Sequence, residues 1–156
     1  NLCQRVFSFI KKNCSNGIPK GVKFTDQDKN LMNNLKDNIP HLIELMNNQD
    51  LNEYTKLVVS FSFEANKYFN DSEPWSIKKK DLSRMETILY TISEQIRNIS
   101  ILLNPIIPHA TAKILDIMNV DDADISINSI NKLGIINHDK ELKKLEILFK
   151  KIDNDN

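Results

Sequence analysis

Two polar side chains four residues apart, Asn1 and Arg5, open the chain. At about 100° per residue a helix brings them within about 40° of each other. Ser8 and Lys12 continue that line, while Leu2, Val6, Phe9 and Ile10 occupy a separate arc. One reading of this stripe is an ordinary solvated helix face. The other is chemical: an amide offering donor and acceptor, beside a planar guanidinium with five donors, suits the edges of unpaired nucleic-acid bases. Trp75, the single tryptophan, follows Pro74 in a polar turn rather than standing on an apolar helix face. It either plugs the end of a helical bundle or offers a stacking surface to a splayed base, a contact worth about 1 to 3 kcal/mol. Lys78, Lys79 and Lys80 come directly after it, and with Lys12 they are candidates for phosphate contacts.

Other chemistries lack their residues. His41, His109 and His138 are far apart in sequence, with no Cys, Asp or Glu at metal-ligand spacing and no HExxH pattern, so no metal site is expected. Gly17 and Gly21 form no phosphate-cradling loop. Cys3 and Cys14 fit neither a disulfide framework nor a zinc knuckle, and Cys3, on the apolar side of its helix, is expected to be buried and inert. No catalytic residue is assigned.

The elements that must position these side chains follow from hydrophobic period and punctuation. Apolar residues at helical spacing predict a first helix over 1–13, ending near Gly17. Thr25-Asp26-Gln27-Asp28 resembles a capping box and opens a helix carrying Leu31, Leu35 and Ile39, which Pro40 kinks or restarts. Asp50-Leu51-Asn52-Glu53 starts a long helix with Leu51, Tyr54, Leu57, Val58, Phe61, Ala65 and Tyr68 or Phe69 on its buried stripe. That helix stops at 70–74, where Asn, Asp, Ser and Pro favour a turn. Asp81 caps a fourth helix, bearing Leu82, Met85, Ile88 or Leu89, Ile92, Ile96, Ile99 and Leu103 and closed by Pro105. A fifth begins around Pro108 with Ala110, Ile114, Leu115 and Met118, and ends in the acidic stretch 121–124. Beyond it the period weakens: 133–136 can be a short extended piece, and 143–152 a charged apolar tail. The expected fold class is therefore all-α, a bundle of about five helices over residues 1–120 with an appendage over 121–156.

The totals bound the partners. A chain of 156 residues with 40% hydrophobic and 27% charged content is one domain able to bury a core. It opens on Asn1 within an apolar-periodic segment, as a piece of a longer polypeptide would. With 21 basic and 21 acidic residues the net charge is zero, so any nucleic-acid binding must come from local placement rather than a basic surface. No apolar run approaches the roughly 20 residues that span a bilayer. No membrane partner is expected, and the two unpaired cysteines point to a reducing, cytoplasmic setting.

Asn1-Leu2-Cys3-Gln4-Arg5-Val6, Asn66-Lys67-Tyr68 followed by Glu73-Pro74-Trp75, 103–108 (Leu-Asn-Pro-Ile-Ile-Pro) and Leu148-Phe149 stand in fixed order along nearly the whole chain. In that order they resemble the landmarks of the anticodon-binding domain of the methionyl-tRNA synthetase family, class I aminoacyl-tRNA synthetases. The resemblance implies an α-helical bundle that follows a nucleotide-binding catalytic domain and grips tRNA with a CAU anticodon. It also implies roles: Asn1 and Arg5 hydrogen-bond anticodon bases, and Trp75 stacks on the wobble cytosine. ATP and Mg belong to methionylation by the full-length enzyme. The HIGH, KMSKS and zinc-binding landmarks are absent from this chain. It is therefore expected to bind no cofactor and to be inactive alone. One departure lies near the end, where related chains often carry prolines around Leu148-Phe149 and this one has lysines. Two alternatives stay open: a helical protein–protein interaction module, favoured by the zero net charge, and the anticodon domain of another class I synthetase.

Overall fold

The computed structural model describes residues 1–15, 17–130, 132–145 and 148–149; most of the expected tail after 145 lies outside them. Among the described residues there are seven α-helices and no strand, in agreement with the all-α expectation. They are α1 (Leu2–Asn13), α2 (Asp26–Asp37), α3 (Ile39–Asn47), α4 (Leu51–Ser72), α5 (Pro74–Ile77), α6 (Leu82–Leu103) and α7 (Pro108–Ile117).

Two helices beyond the expected five come from local backbone chemistry. The α2 start is a complete capping box: the Asp28 amide donates to Thr25, and the Thr25 amide donates to the Asp28 carboxylate at 2.8 Å. At the other end of α2 the Asn38 amide closes a tight turn on the Leu35 carbonyl at 3.2 Å. The chain then restarts as α3 with Pro40 in its first turn, where a missing amide proton costs little. The second addition is α5. Glu73 adopts a left-handed conformation, with φ 41°, and ends α4; Pro74 then seeds a single helical turn that holds Trp75.

Helix α6 is the axis of the fold, and α1, α2, α4, α5 and α7 all pack on it. From Thr87 to Leu102 every residue is buried, including Glu94, Gln95, Arg97 and Asn98. A one-sided apolar stripe was the expectation; a helix enclosed on all sides is the finding. Several of its polar residues are carried inward with partners, while the Ser93 hydroxyl and the side-chain oxygens of Gln95 and Asn98 are buried without one. Thr91 and Ser100 donate to the carbonyls four residues back, at 2.9 and 2.7 Å. Arg97 donates to the Glu94 carboxylate at 2.8 Å, the Ser129 carbonyl at 3.2 Å and the Lys132 carbonyl at 3.3 Å. One buried guanidinium thus ties the segment after α7 onto the bundle axis. Burial pushes the Glu94 carboxyl above its ordinary range, against the pull of Arg97.

Around this axis the buried stripe of α4 is Tyr54, Val58, Phe61, Ala65, Tyr68 and Phe69. The first-turn residues Leu51 and Leu82, expected inside, are 50% and 54% exposed, because each opens its helix beyond the edge of the core. After α7 come two single 3-10 turns, Asp122–Asp124 and Ile127–Ser129. Residues 133–136 form turns and bends rather than an extended piece, with Gly134 at φ +83°, a left-handed value that breaks an extended run. Ile130, Ile136 and Leu142 nevertheless reach the common core, and the Lys143 amide donates to the Ile117 carbonyl at 3.0 Å. Gly17 is required where this segment passes the first loop: its φ is +94°, and a Cβ there would lie 2.0 Å from the Lys140 carbonyl oxygen.

Candidate nucleic-acid interface

Two of the candidate side chains, Arg5 and Trp75, come together where the start of α1 lies against the last turns of α4. Arg5, on the solvent side of α1, extends over α4. Its two terminal nitrogens donate to the side-chain oxygens of Asn66 at 3.1 Å and Asn70 at 2.6 Å. The guanidinium carbon stands 5.4 Å from the centre of the Phe69 ring, a cation–π arrangement. Phe69 is itself buried, and the Trp75 indole packs against it edge to face, with centroids 5.8 Å apart and planes at 77°. Phe69 therefore contacts both of the residues that the sequence singled out separately.

Trp75 is 43% exposed. It neither plugs the bundle nor hangs free: one edge rests on Phe69, and part of the indole stays open to solvent. The left-handed Glu73 and the one-turn α5 fix where the indole emerges. Asn1 is exposed and caps α1 through its backbone, its carbonyl accepting from the Arg5 amide at 3.1 Å. Lys12 is exposed on the same helix. Lys78 donates to the Asn13 side chain at 2.7 Å, joining the α5 turn to the end of α1, while Lys79 and Lys80 are exposed. Arg5 and Trp75 are thus brought together, and the lysines lie further along the same two elements.

The floor beneath α4 is rigid. Tyr68 donates to Asp28 at 2.6 Å, and Arg84 holds the same carboxylate through both terminal nitrogens, one bond at 2.9 Å. Burial pushes the Asp28 carboxyl up, but hydrogen bonds from Arg84, Tyr68 and the Thr25 amide outweigh it and hold it below its usual range. Burial and the neighbouring Asp28 raise the Tyr68 phenol well above its ordinary value.

Sequence reasoning assigned no role to Asn66, Phe69 and Asn70 in this cluster. Asn66 served only as a landmark, Phe69 as a core position and Asn70 as a turn former. A signal was present: two asparagines four apart, poor helix formers, on the same face as an aromatic. Both thiols are unsuited to nucleophilic chemistry. Burial raises Cys3, and burial together with Glu86 pushes Cys14 up to about 11. Among the described residues no group of three His, Cys, Asp or Glu side chains could hold a metal, and no helix is long and apolar enough to cross a membrane. His138 donates from Nδ1 to the Ile18 carbonyl at 2.9 Å and packs on Tyr90. A cleft of about 540 Å³, lined by Leu2, Cys3, Ile96, Ile99, Leu103 and Ile114 among others, contains neither Arg5 nor Trp75.

Residues 18–156 match the family described as the anticodon binding domain of methionyl tRNA ligase. The chain belongs to this family. The anticodon-binding domain is similar to the methionine–tRNA ligase of Rhizobium meliloti, 36% identical over 120 residues, covering 77% of this chain and 23% of that protein. The corresponding protein of Brucella suis biovar 1 is 35% identical over 120 residues, again with 77% and 23% covered. The chain therefore spans under a quarter of the length of these curated relatives. Its fold matches that of the Mycobacterium tuberculosis methionyl-tRNA synthetase in its apo form, with a TM-score of 0.90 and 24% identity over 98% of this chain and 31% of that one. The same enzyme bound by methionyl-adenylate gives a TM-score of 0.88, over 96% of this chain and 30% of that one.

Proposed function

We propose that this anticodon-binding domain recognises tRNA carrying the CAU anticodon, and that it does so for a methionine–tRNA ligase whose catalytic domain lies elsewhere in the same polypeptide. The observation that carries the reading is the exposed pair of Arg5 and Trp75, both packed on Phe69. A guanidinium with free donors reads acceptor atoms on base edges, and a half-exposed indole offers a base a face to stack on. Asn1 and Arg5 serve as hydrogen-bonding readers, Trp75 stacks on the wobble cytosine, and Lys12, Lys78, Lys79 and Lys80 contact phosphates. Residues 1–120 form the recognition bundle and 121–156 its appendage. In the full-length cytoplasmic enzyme, ATP with Mg activates methionine at the catalytic domain, and this domain sets the tRNA so that its acceptor end arrives there.

The test is a titration of the 156-residue chain with anticodon stem-loop RNAs that differ only at the first anticodon base. The CAU loop is expected to bind about 5- to 150-fold more tightly than its variants, in line with the roughly 1 to 3 kcal/mol of one stacked and read base. Trp75→Ala should abolish that preference. A domain indifferent to the wobble base contradicts the methionine assignment, and binding insensitive to salt contradicts an RNA partner altogether.

A further inference from the structure

We propose that Asn66 and Asn70 are positioning residues that hold the Arg5 guanidinium over Phe69 without neutralising it, leaving a fully cationic, donor-rich face for acceptor atoms of an RNA base. The inference rests on the anticodon reading above and adds to it the residues that aim Arg5.

The chain has three arginines, Arg5, Arg84 and Arg97. Arg84 is paired with Asp28, and Arg97 with Glu94. The side chains that hold Arg5 are two neutral amides and an aromatic ring. The choice of partner has electrostatic consequences. A carboxylate would fix the guanidinium more firmly, because charge-assisted hydrogen bonds are shorter and stronger, but it would cancel the positive charge and add acceptors. An amide oxygen fixes the same nitrogen and leaves the charge in place. Each terminal nitrogen of Arg5 spends one proton on an asparagine, so three of its five donors remain.

The amides contribute again through their other ends. Arginine has no acceptor, so the oxygens of Asn66 and Asn70 must face it, and their NH2 groups are turned away from it. The cluster then presents donors from three side chains next to a cation. That suits the carbonyl oxygen and ring nitrogen of a cytosine edge and repels no phosphate. Geometry supplies the orientation: Asn66 and Asn70 are one helical turn apart on α4, each meets a different terminal nitrogen, and Phe69 lies beneath the guanidinium plane.

Asn70→Asp separates holding from charging. In the 156-residue chain, titrated by fluorescence anisotropy with a CAU anticodon stem-loop across a salt series, this variant should keep or raise the melting temperature. It should bind about tenfold more weakly. Its plot of log affinity against log salt should be shallower by about 0.7, as expected for one positive charge lost from a single-stranded contact. Asn70→Ala should also weaken binding, but with the wild-type salt slope, because the charge remains and only its aim is lost. Asn66→Asp carries the same test if Asn70→Asp lowers the helix content. Wild-type binding by the Asp variants, alongside lost binding by Arg5→Ala, overturns the clamp and leaves the anticodon reading intact. Wild-type binding by Arg5→Ala overturns both.

Discussion

Two arginines on neighbouring elements meet opposite fates. Arg97, at the middle of α6, is fully buried, and a carboxylate and two carbonyls claim its protons. Arg5, at the rim where α1 lies against α4, is exposed and leans on two amides and a ring. The first spends its charge inside the molecule, fastening Ser129 and Lys132 to the bundle axis. The second keeps its charge at the surface. Burial makes an ion pair costly to break, whereas exposed polar contacts contribute little to stability, so stability should depend on Arg97 and recognition on Arg5.

Removing the buried cation should have the largest effect. Arg97→Ala leaves the Glu94 carboxylate buried without its partner and strips two carbonyls of a donor; a loss of about 3 to 5 kcal/mol in urea unfolding is expected. The double variant Glu94→Leu, Arg97→Met should recover a large part of it, because replacing the whole pair leaves no stranded charge. A single variant that unfolds like wild type breaks the comparison. Intermediate between the two regions is Arg84 with Asp28, for which Asp28→Asn should cost about 2 kcal/mol. It should also change the acid limb. The folded Asp28 carboxyl titrates below its unfolded value of 3.8, so its contribution is fully present above that value and disappears as pH falls through the lower, folded one. Stability measured down a pH series should therefore fall less steeply for Asp28→Asn than for wild type. Smallest in stability is Arg5→Ala, expected within about 0.5 kcal/mol of wild type because its contacts are at the surface. A loss comparable to that of Arg97→Ala would make Arg5 a structural residue and remove the contrast.

Legibility in the sequence followed how local each cause is. The Thr25 capping box and the Asp50 and Asp81 caps depend on residues three apart, and all of them form. The stripe of α4 was readable because one side faces the core and the other water. On α6 the same reasoning found the apolar positions but not the enclosure. Glu94 and Arg97 look like a solvated (i, i+3) pair in sequence but are buried, with Arg97 meeting Ser129 and Lys132 from far along the chain. At the candidate site, spacing alone left both Arg5 and Trp75 with two readings, and only the resemblance chose between them. Phe69, which contacts both, looked like any core aromatic, since a contact reaching back to Arg5 across the chain is marked locally only by the two nearby asparagines.

Helix α4 has a further consequence in its phase. Over 22 residues, about 33 Å, it carries Tyr54 bonded to the Leu102 carbonyl near one end, and Asn66, Tyr68 and Asn70 with their partners near the other. One residue inserted between Tyr54 and Asn66 would turn the far end by about 100°, carrying both asparagines away from Arg5 while every side chain stayed chemically unchanged. An insertion of about seven residues would restore the phase but move the far end about 10 Å along the axis, so the length of α4 is set by the surface contacts as well as by the core.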